Sequence, residues 1–314
     1  MNLKLPSWFR QEIPDTITLQ RAQKLSVTGV HTVCQEARCP NLSFCFQQLK
    51  FTFMILGDTC TRNCQFCGVR KTDNKSLDLD LNEPYRLAEK VKELKLNYVV
   101  ITAVTRDDLA DGGAKIFAKT IELIHHINQD INPVRNTVST EKYNKISNGV
   151  KVEVLIPDFK GSISSLRCLV DAHPDLVAHN IETVERLYKD LRPEANYQLS
   201  LQVLRKIKEI QPMLTTKSSI MLGLGETEGE VIKTMEDLLN SGCDILTLGQ
   251  YLAPSENHYP VKEFISIAQF QRYRDIGLAL GFKAVLSGPL VRSSYRAEEV
   301  YEEVNILARK LLSS

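Results

Sequence analysis

FTFMILGDTCTRNCQFC, residues 51–67, joins a short strand to three cysteines spaced C-x3-C-x2-C. Residues 51–57 are mostly apolar, as in a strand buried on both faces. Cys60, Cys64 and Cys67 follow on the loop where that strand ends. Upstream lies a second triplet, Cys34, Cys39 and Cys45, spaced C-x4-C-x5-C, so six of the eight cysteines fall between residues 34 and 67. The chemistry and the fold are both read outward from here.

Downstream the alternation of strand and helix repeats. Strands are expected at 98–104, 150–157, 175–180, 217–223 and 244–250, with a weaker one at 282–288. Helices are expected at 83–95, 114–127, 200–210, 228–242 and 267–281; in the first, Leu87, Val91 and Leu94 recur at helical spacing. Val/Ile/Leu-rich strands alternating with amphipathic helices make a parallel sheet with helices outside, and six or seven such units make a complete or partial (β/α) barrel. Polar residues close several strands: Asp58, Thr105 with Arg106, Asp158, Asn180 with Glu182, and Glu226. In barrels that C-terminal rim carries the chemistry. Residues 1–50 read as an N-terminal extension over the barrel, 51–287 as the barrel and 288–314 as a C-terminal extension. Residues 133–149, polar and without apolar period, read as a surface loop or a locally disordered insertion.

The chain has 314 residues, 43% hydrophobic and 25% charged, enough for a large core. A net charge of +1 gives no pull toward nucleic acid or an anionic membrane. No apolar run approaches the roughly 20 residues a bilayer requires, and MNLKLPSWFRQEIP lacks an export signal's apolar core. A cytoplasmic protein is expected, in which clustered cysteines bind metal and do not form disulfides. Cys168 and Cys243, alone in apolar surroundings, read as buried small hydrophobes.

Three thiolates can grip three irons of a four-iron cube and leave the fourth open. Two triplets therefore suggest two iron–sulfur clusters, each with an iron free for another ligand. The alternative, zinc, usually takes paired x2 spacings or nearby histidines, and no histidine lies between residues 32 and 124. Phe66, just before Cys67, is placed to flank a planar ligand. Arg292-Ser293-Ser294-Tyr295, followed by Glu298 and Glu299, reads on its own as a helix N-cap. Arg192 and Arg205 are candidate carboxylate binders, and Arg106, Asp107 and Asp108 crowd another part of the rim.

CTRNCQFC after the first barrel strand resembles the radical S-adenosylmethionine (SAM) enzymes. With CQEARCPNLSFC, VEVLIPDFKG, HNIETV, MLGLGE and SGPLVRSSY added, the chain from about residue 30 to 296 resembles the lipoyl synthase family within them. The resemblance implies a partial (β/α) barrel of the radical SAM type, two [4Fe-4S] clusters and SAM as cofactors, and insertion of two sulfur atoms at C6 and C8 of a protein-bound octanoyl-lysine. It assigns Cys60, Cys64 and Cys67 to the radical SAM cluster. It assigns Cys34, Cys39 and Cys45, with Ser293 or preferably Ser294, to an auxiliary cluster that gives up its sulfide. Phe66, Asn180, Glu182, Arg192, Arg205 and Glu226 become candidates for binding SAM, and Arg292 and Tyr295 for lining an octanoyl-lysine tunnel. Implied partners are octanoylated carrier domains (a 2-oxoacid dehydrogenase E2 or glycine cleavage H protein) and a low-potential donor such as ferredoxin or flavodoxin. Three features depart from the family pattern: phenylalanines flank Cys45, Arg296 replaces a histidine, and the 133–149 stretch is long. The chemistry itself demands a cofactor, because no side-chain acid or base removes a proton from an unactivated alkyl carbon.

Overall fold

The computed structural model describes residues 4–9, 15–72, 77–128 and 149–312. Apart from Gly149, the 133–149 stretch lies outside them. Strand β1 (His31–Thr32) pairs antiparallel with β2 (Thr52–Ile55), and β3 (Thr59–Cys60) with β4 (Arg70–Lys71) forms a separate two-stranded ladder at the cysteine loop. From β2 the main sheet continues in chain order through β5 (Tyr98–Ala103), β6 (Lys151–Leu155), β7 (Leu176–Ala178), β8 (Thr215–Leu222), β9 (Ile245–Gln250) and β10 (Ala284–Gly288), every pair parallel. All seven expected strands are present. The sheet runs from β1 to β10 without closing, so the barrel is partial.

Sequential parallel order with right-handed crossovers places the returning helices on one face. The N-terminal stretch holds α1 (Thr16–Val27), α2 (Val33–Glu36) and α3 (Leu42–Gln47). The barrel helices are α4 (Glu83–Glu93), α5 (Ala114–Ile127), α6 (Ile163–Asp171), α8 (Tyr197–Ile210), α9 (Glu228–Asn240) and α10 (Ile267–Leu280), with the short α7 (Tyr188–Leu191) before α8. Alternate strand residues such as Phe53, Ile101, Val152, Val154 and Val177 meet Leu87, Phe117, Ile121, Leu169 and Val203 in the outer core. Ile220, Leu222, Leu246 and Leu248 continue it toward α9 and α10.

The opposite residues of the same strands face inward and are more polar. Lys217 Nζ donates to Glu153 Oε1 at 2.8 Å, and Tyr98 Oη donates to Glu153 Oε2 at 2.7 Å. The C-terminal helix α11 (Ala297–Leu312) covers the strand beginnings on this side: Val300 and Val304 pack with Leu176, Ile245 and Ala284. Among the described residues no helix is long and apolar enough to cross a membrane.

Candidate active site

The loop carrying Cys60, Cys64 and Cys67 is held from several sides by its own backbone. Thr61 N donates to Thr105 O at the end of β5 (3.0 Å), Gln65 N to Leu191 O (2.9 Å), and Tyr259 N to Gln65 O (3.0 Å). Lys71 Nζ donates to Cys64 O, and His258 Nε2 lies 3.2 Å from Cys67 O. Inside the loop, Arg62 makes two bonds to Asp158 (2.6 and 2.8 Å) and two to Asp107 (2.7 and 3.0 Å). Burial opposes the Asp158 charge, but the Arg62 hydrogen bonds hold its pKa down to about 2. Sequence reasoning missed Arg62, Lys71, His258 and Tyr259. Only Arg62 left a signal, a cation between cluster cysteines that needed a carboxylate partner.

Beside Cys64 stand three of the expected pocket residues. Asn180 Nδ2 donates to Glu182 Oε1 at 3.1 Å. Arg192 donates through Nη1 to Asn180 O, Ile181 O and Tyr188 Oη, while its buried Nε has no partner among the described residues. Burial pushes the Glu182 carboxyl up from its ordinary value against the pull of Arg192. Phe66 is half-buried against the core that includes Tyr188 and Tyr251.

Two expected contributors are elsewhere or otherwise engaged. Arg205 lies on the exposed face of α8; Leu201, Val203, Leu204 and Ile207 take the buried face, so helical geometry turns Arg205 outward. Glu226 bends back to accept from Gly223 N (2.6 Å) and Leu224 N (2.8 Å), bracing its own turn. Gly223 is needed there for packing: a Cβ would sit 2.1 Å from Gln250 Nε2 and 2.3 Å from Glu263 O. Arg106 is buried and forks onto Asp108 at 2.8 and 2.7 Å, and Asp107 serves Arg62. Cys243 is buried as expected, while Cys168 is half-buried.

The second triplet sits at the other end of β2. Cys34 is buried with its thiol facing the Thr52 backbone N–H, at the first residue of that strand. Thr52 Oγ1 donates to Ser294 Oγ at 2.7 Å, whereas Ser293 Oγ donates to Asn180 Oδ1 at 2.9 Å. The adjacent serines thus turn to opposite ends: Ser294 to the Cys34 triplet, Ser293 to the pocket beside Cys64. Neither makes the helix cap that the motif alone suggested. Arg292 donates to Val291 O, and Tyr295 stacks on Phe44 with centroids 6.2 Å apart. Phe46, one of the two phenylalanines that flank Cys45, is fully buried against Phe51.

Each triplet forms one electrostatic group. Burial, reinforced by Cys39, pushes Cys45 up to about 12; burial, reinforced by Cys64 and Cys60, pushes Cys67 up to about 12 despite the Val69 backbone N–H. Such thiols become thiolates only when a metal takes the proton's place. Among the described residues no three His, Cys, Asp or Glu side chains converge where one ion would sit. Two all-thiol triplets are a donor set that fits iron–sulfur clusters, and the Arg192 Nε, without a partner among the described residues, fits a carboxylate beside the Cys64 loop.

Residues 54–238 match the radical SAM superfamily. A lipoyl synthase of Caldicellulosiruptor bescii is 50% identical over 302 residues, covering 94% of this chain and 95% of that protein. One of Caldanaerobacter subterraneus subsp. tengcongensis is 47% identical over 298 residues, covering 95% of this chain and 97% of that protein. In fold, the chain is similar to HydG, a maturase of the [FeFe]-hydrogenase, with a TM-score of 0.53 at 15% identity over 79% of this chain and 52% of that one.

Proposed function

The chain belongs to the lipoyl synthases of the radical SAM superfamily, and on that premise we propose how its residues divide the reaction. The enzyme inserts two sulfur atoms, at C6 and C8, into an octanoyl chain on a lysine of a lipoyl-carrier protein. When bound, one [4Fe-4S] cluster with SAM supplies a 5′-deoxyadenosyl radical for each C–H bond, and the other supplies the sulfur.

Cys60, Cys64 and Cys67 hold the radical SAM cluster, on a loop oriented by Arg62, Thr61 and Gln65. Arg192 and Glu182 bind the carboxylate and amino group of SAM; Asn180 steadies Glu182, and Phe66 flanks the planar base. Cys34, Cys39, Cys45 and Ser294 hold the auxiliary cluster. Ser294 would give that cluster one oxygen donor beside three thiolates, a harder and less usual ligand for iron. Residues 1–50 and 288–314 together build the auxiliary site on the barrel of 51–287. Carriers are the E2 or H-protein domains, the electron donor is a ferredoxin or flavodoxin, and the protein works in the cytoplasm. The observation that carries this reading is the placement of the two thiol triplets at opposite ends of β2, with Ser294 turned to Thr52 on the Cys34 side and Ser293 to Asn180 in the pocket beside Cys64.

Anaerobically reconstituted enzyme with SAM, dithionite and an octanoyl-lysyl peptide should give a dithiolated peptide and about two deoxyadenosines per product, read by mass spectrometry. Cys34→Ala, Cys39→Ala or Cys45→Ala should keep deoxyadenosine formation and lose thiolation; Cys60→Ala, Cys64→Ala or Cys67→Ala should lose both. Thiolation surviving in the first group would overturn the division of the triplets.

A further inference from the structure

Asn41 lies between Cys39 and Cys45 at the N-cap of α3, yet its side chain makes no cap bond there. Asparagine at that position ordinarily serves its own helix. Here the side chain is buried, and its Nδ2 donates to Leu290 O at 2.6 Å, across 249 residues of chain. Leu290 is four residues before Ser294. Two further ties run between the same segments: Thr52 to Ser294, and Lys50 to Glu299. Lys50 and Glu299 are partly exposed and so contribute little, leaving Asn41 as the buried anchor on the Leu290 side.

We infer that Asn41 is a positioning residue for Ser294, clamping 290–294 against the loop of Cys39 and Cys45 so that the serine stands at the auxiliary site before a cluster arrives. The inference rests on the reading of Ser294 as an auxiliary-cluster ligand. A hydroxyl is a weak ligand and cannot order a loose segment by its own iron bond; the ordering has to be built in. The Asn41 amide does this without competing for iron, because its donor faces a backbone carbonyl.

The test is Asn41→Leu, which removes the donor without adding charge and takes no cap bond from α3. In the cluster-free chain, amide hydrogen exchange across 290–295 should quicken about threefold to tenfold, the worth of one hydrogen bond, with exchange across 60–67 unchanged. In the reconstituted enzyme, a chelator should strip the auxiliary iron severalfold faster, approaching the rate in Ser294→Ala, while deoxyadenosine formation persists. Unchanged exchange, or parental iron retention in Asn41→Leu while Ser294→Ala loses iron, overturns the clamp alone. Parental retention in Ser294→Ala overturns the ligand reading beneath it. Should Asn41→Leu not accumulate, Asn41→Ser, too short to reach Leu290 O, carries the same readouts.

Discussion

Arg62 shows how a side chain between two cysteines of the triplet can govern their loop through carboxylate partners alone. Its guanidinium is 6% exposed and Asp158 1%, so the pair is desolvated and depends on its bidentate geometry. Arg62→Ala would strand the Asp158 carboxylate, at a cost of about 3–5 kcal/mol. The thermal midpoint should fall accordingly, and Arg62→Ala with Asp158→Ala should recover part of the loss; an unshifted single variant would refute the clamp. At this scale the two cysteine triplets were legible as local spacing. The surroundings of Arg205 and Glu226 were not, because a motif names a residue without saying which way it turns. Ser293 and Ser294 are neighbours in sequence, and only the partners Asn180 and Thr52 tell them apart.

Among the elements, the seven parallel strands of the main sheet were visible as apolar runs, and the five expected helices as periodic ones. Helix α6 escaped notice because it is short and opens on serines, although Ser162 caps it through Ser165 N. Helix α11 was masked by the motif before it, and its inner packing depends on the curvature of the whole sheet. Gly249 in β9 marks the closest approach of the C-terminal segment: a Cβ there would meet Val291 O at 1.9 Å, a backbone atom with no rotamer to escape into. Gly249→Ala should cost about 1–3 kcal/mol of overpacking strain and displace 289–294. Iron per chain should fall to about half after reconstitution while deoxyadenosine formation continues. Full iron content would show that the segment tolerates the shift.

Across the whole molecule, stability should follow the protonation of His179. It is fully enclosed, its Nδ1 lies 2.9 Å from Ile156 O, and its Nε2 has no partner among the described residues. Burial lowers its pKa from the ordinary 6.5 to about 4. The unfolded chain takes up this proton at a pH where the folded chain does not. Its contribution is therefore complete above pH 6.5 and is lost as pH falls toward 4, by up to about 3 kcal/mol. Asp158, held at about 2, adds its own loss only below its ordinary value of 3.8. The urea midpoint should drop between pH 7.5 and 5 in the parent and flatten in His179→Asn; equal midpoints in the parent would contradict the burial argument. A different consequence follows from the ties that join residue 41 to 290 and 52 to 294. A nascent chain emerging from the ribosome presents Cys34, Cys39 and Cys45 long before Ser294 exists, and chains are made N-terminus first. On the proposed division, the auxiliary site is thus closed only after residue 294 has been made. On that same division, a chain cut just after β10 would keep Cys60, Cys64 and Cys67 but lose Ser294, and would spend its cosubstrate with no sulfur to deliver.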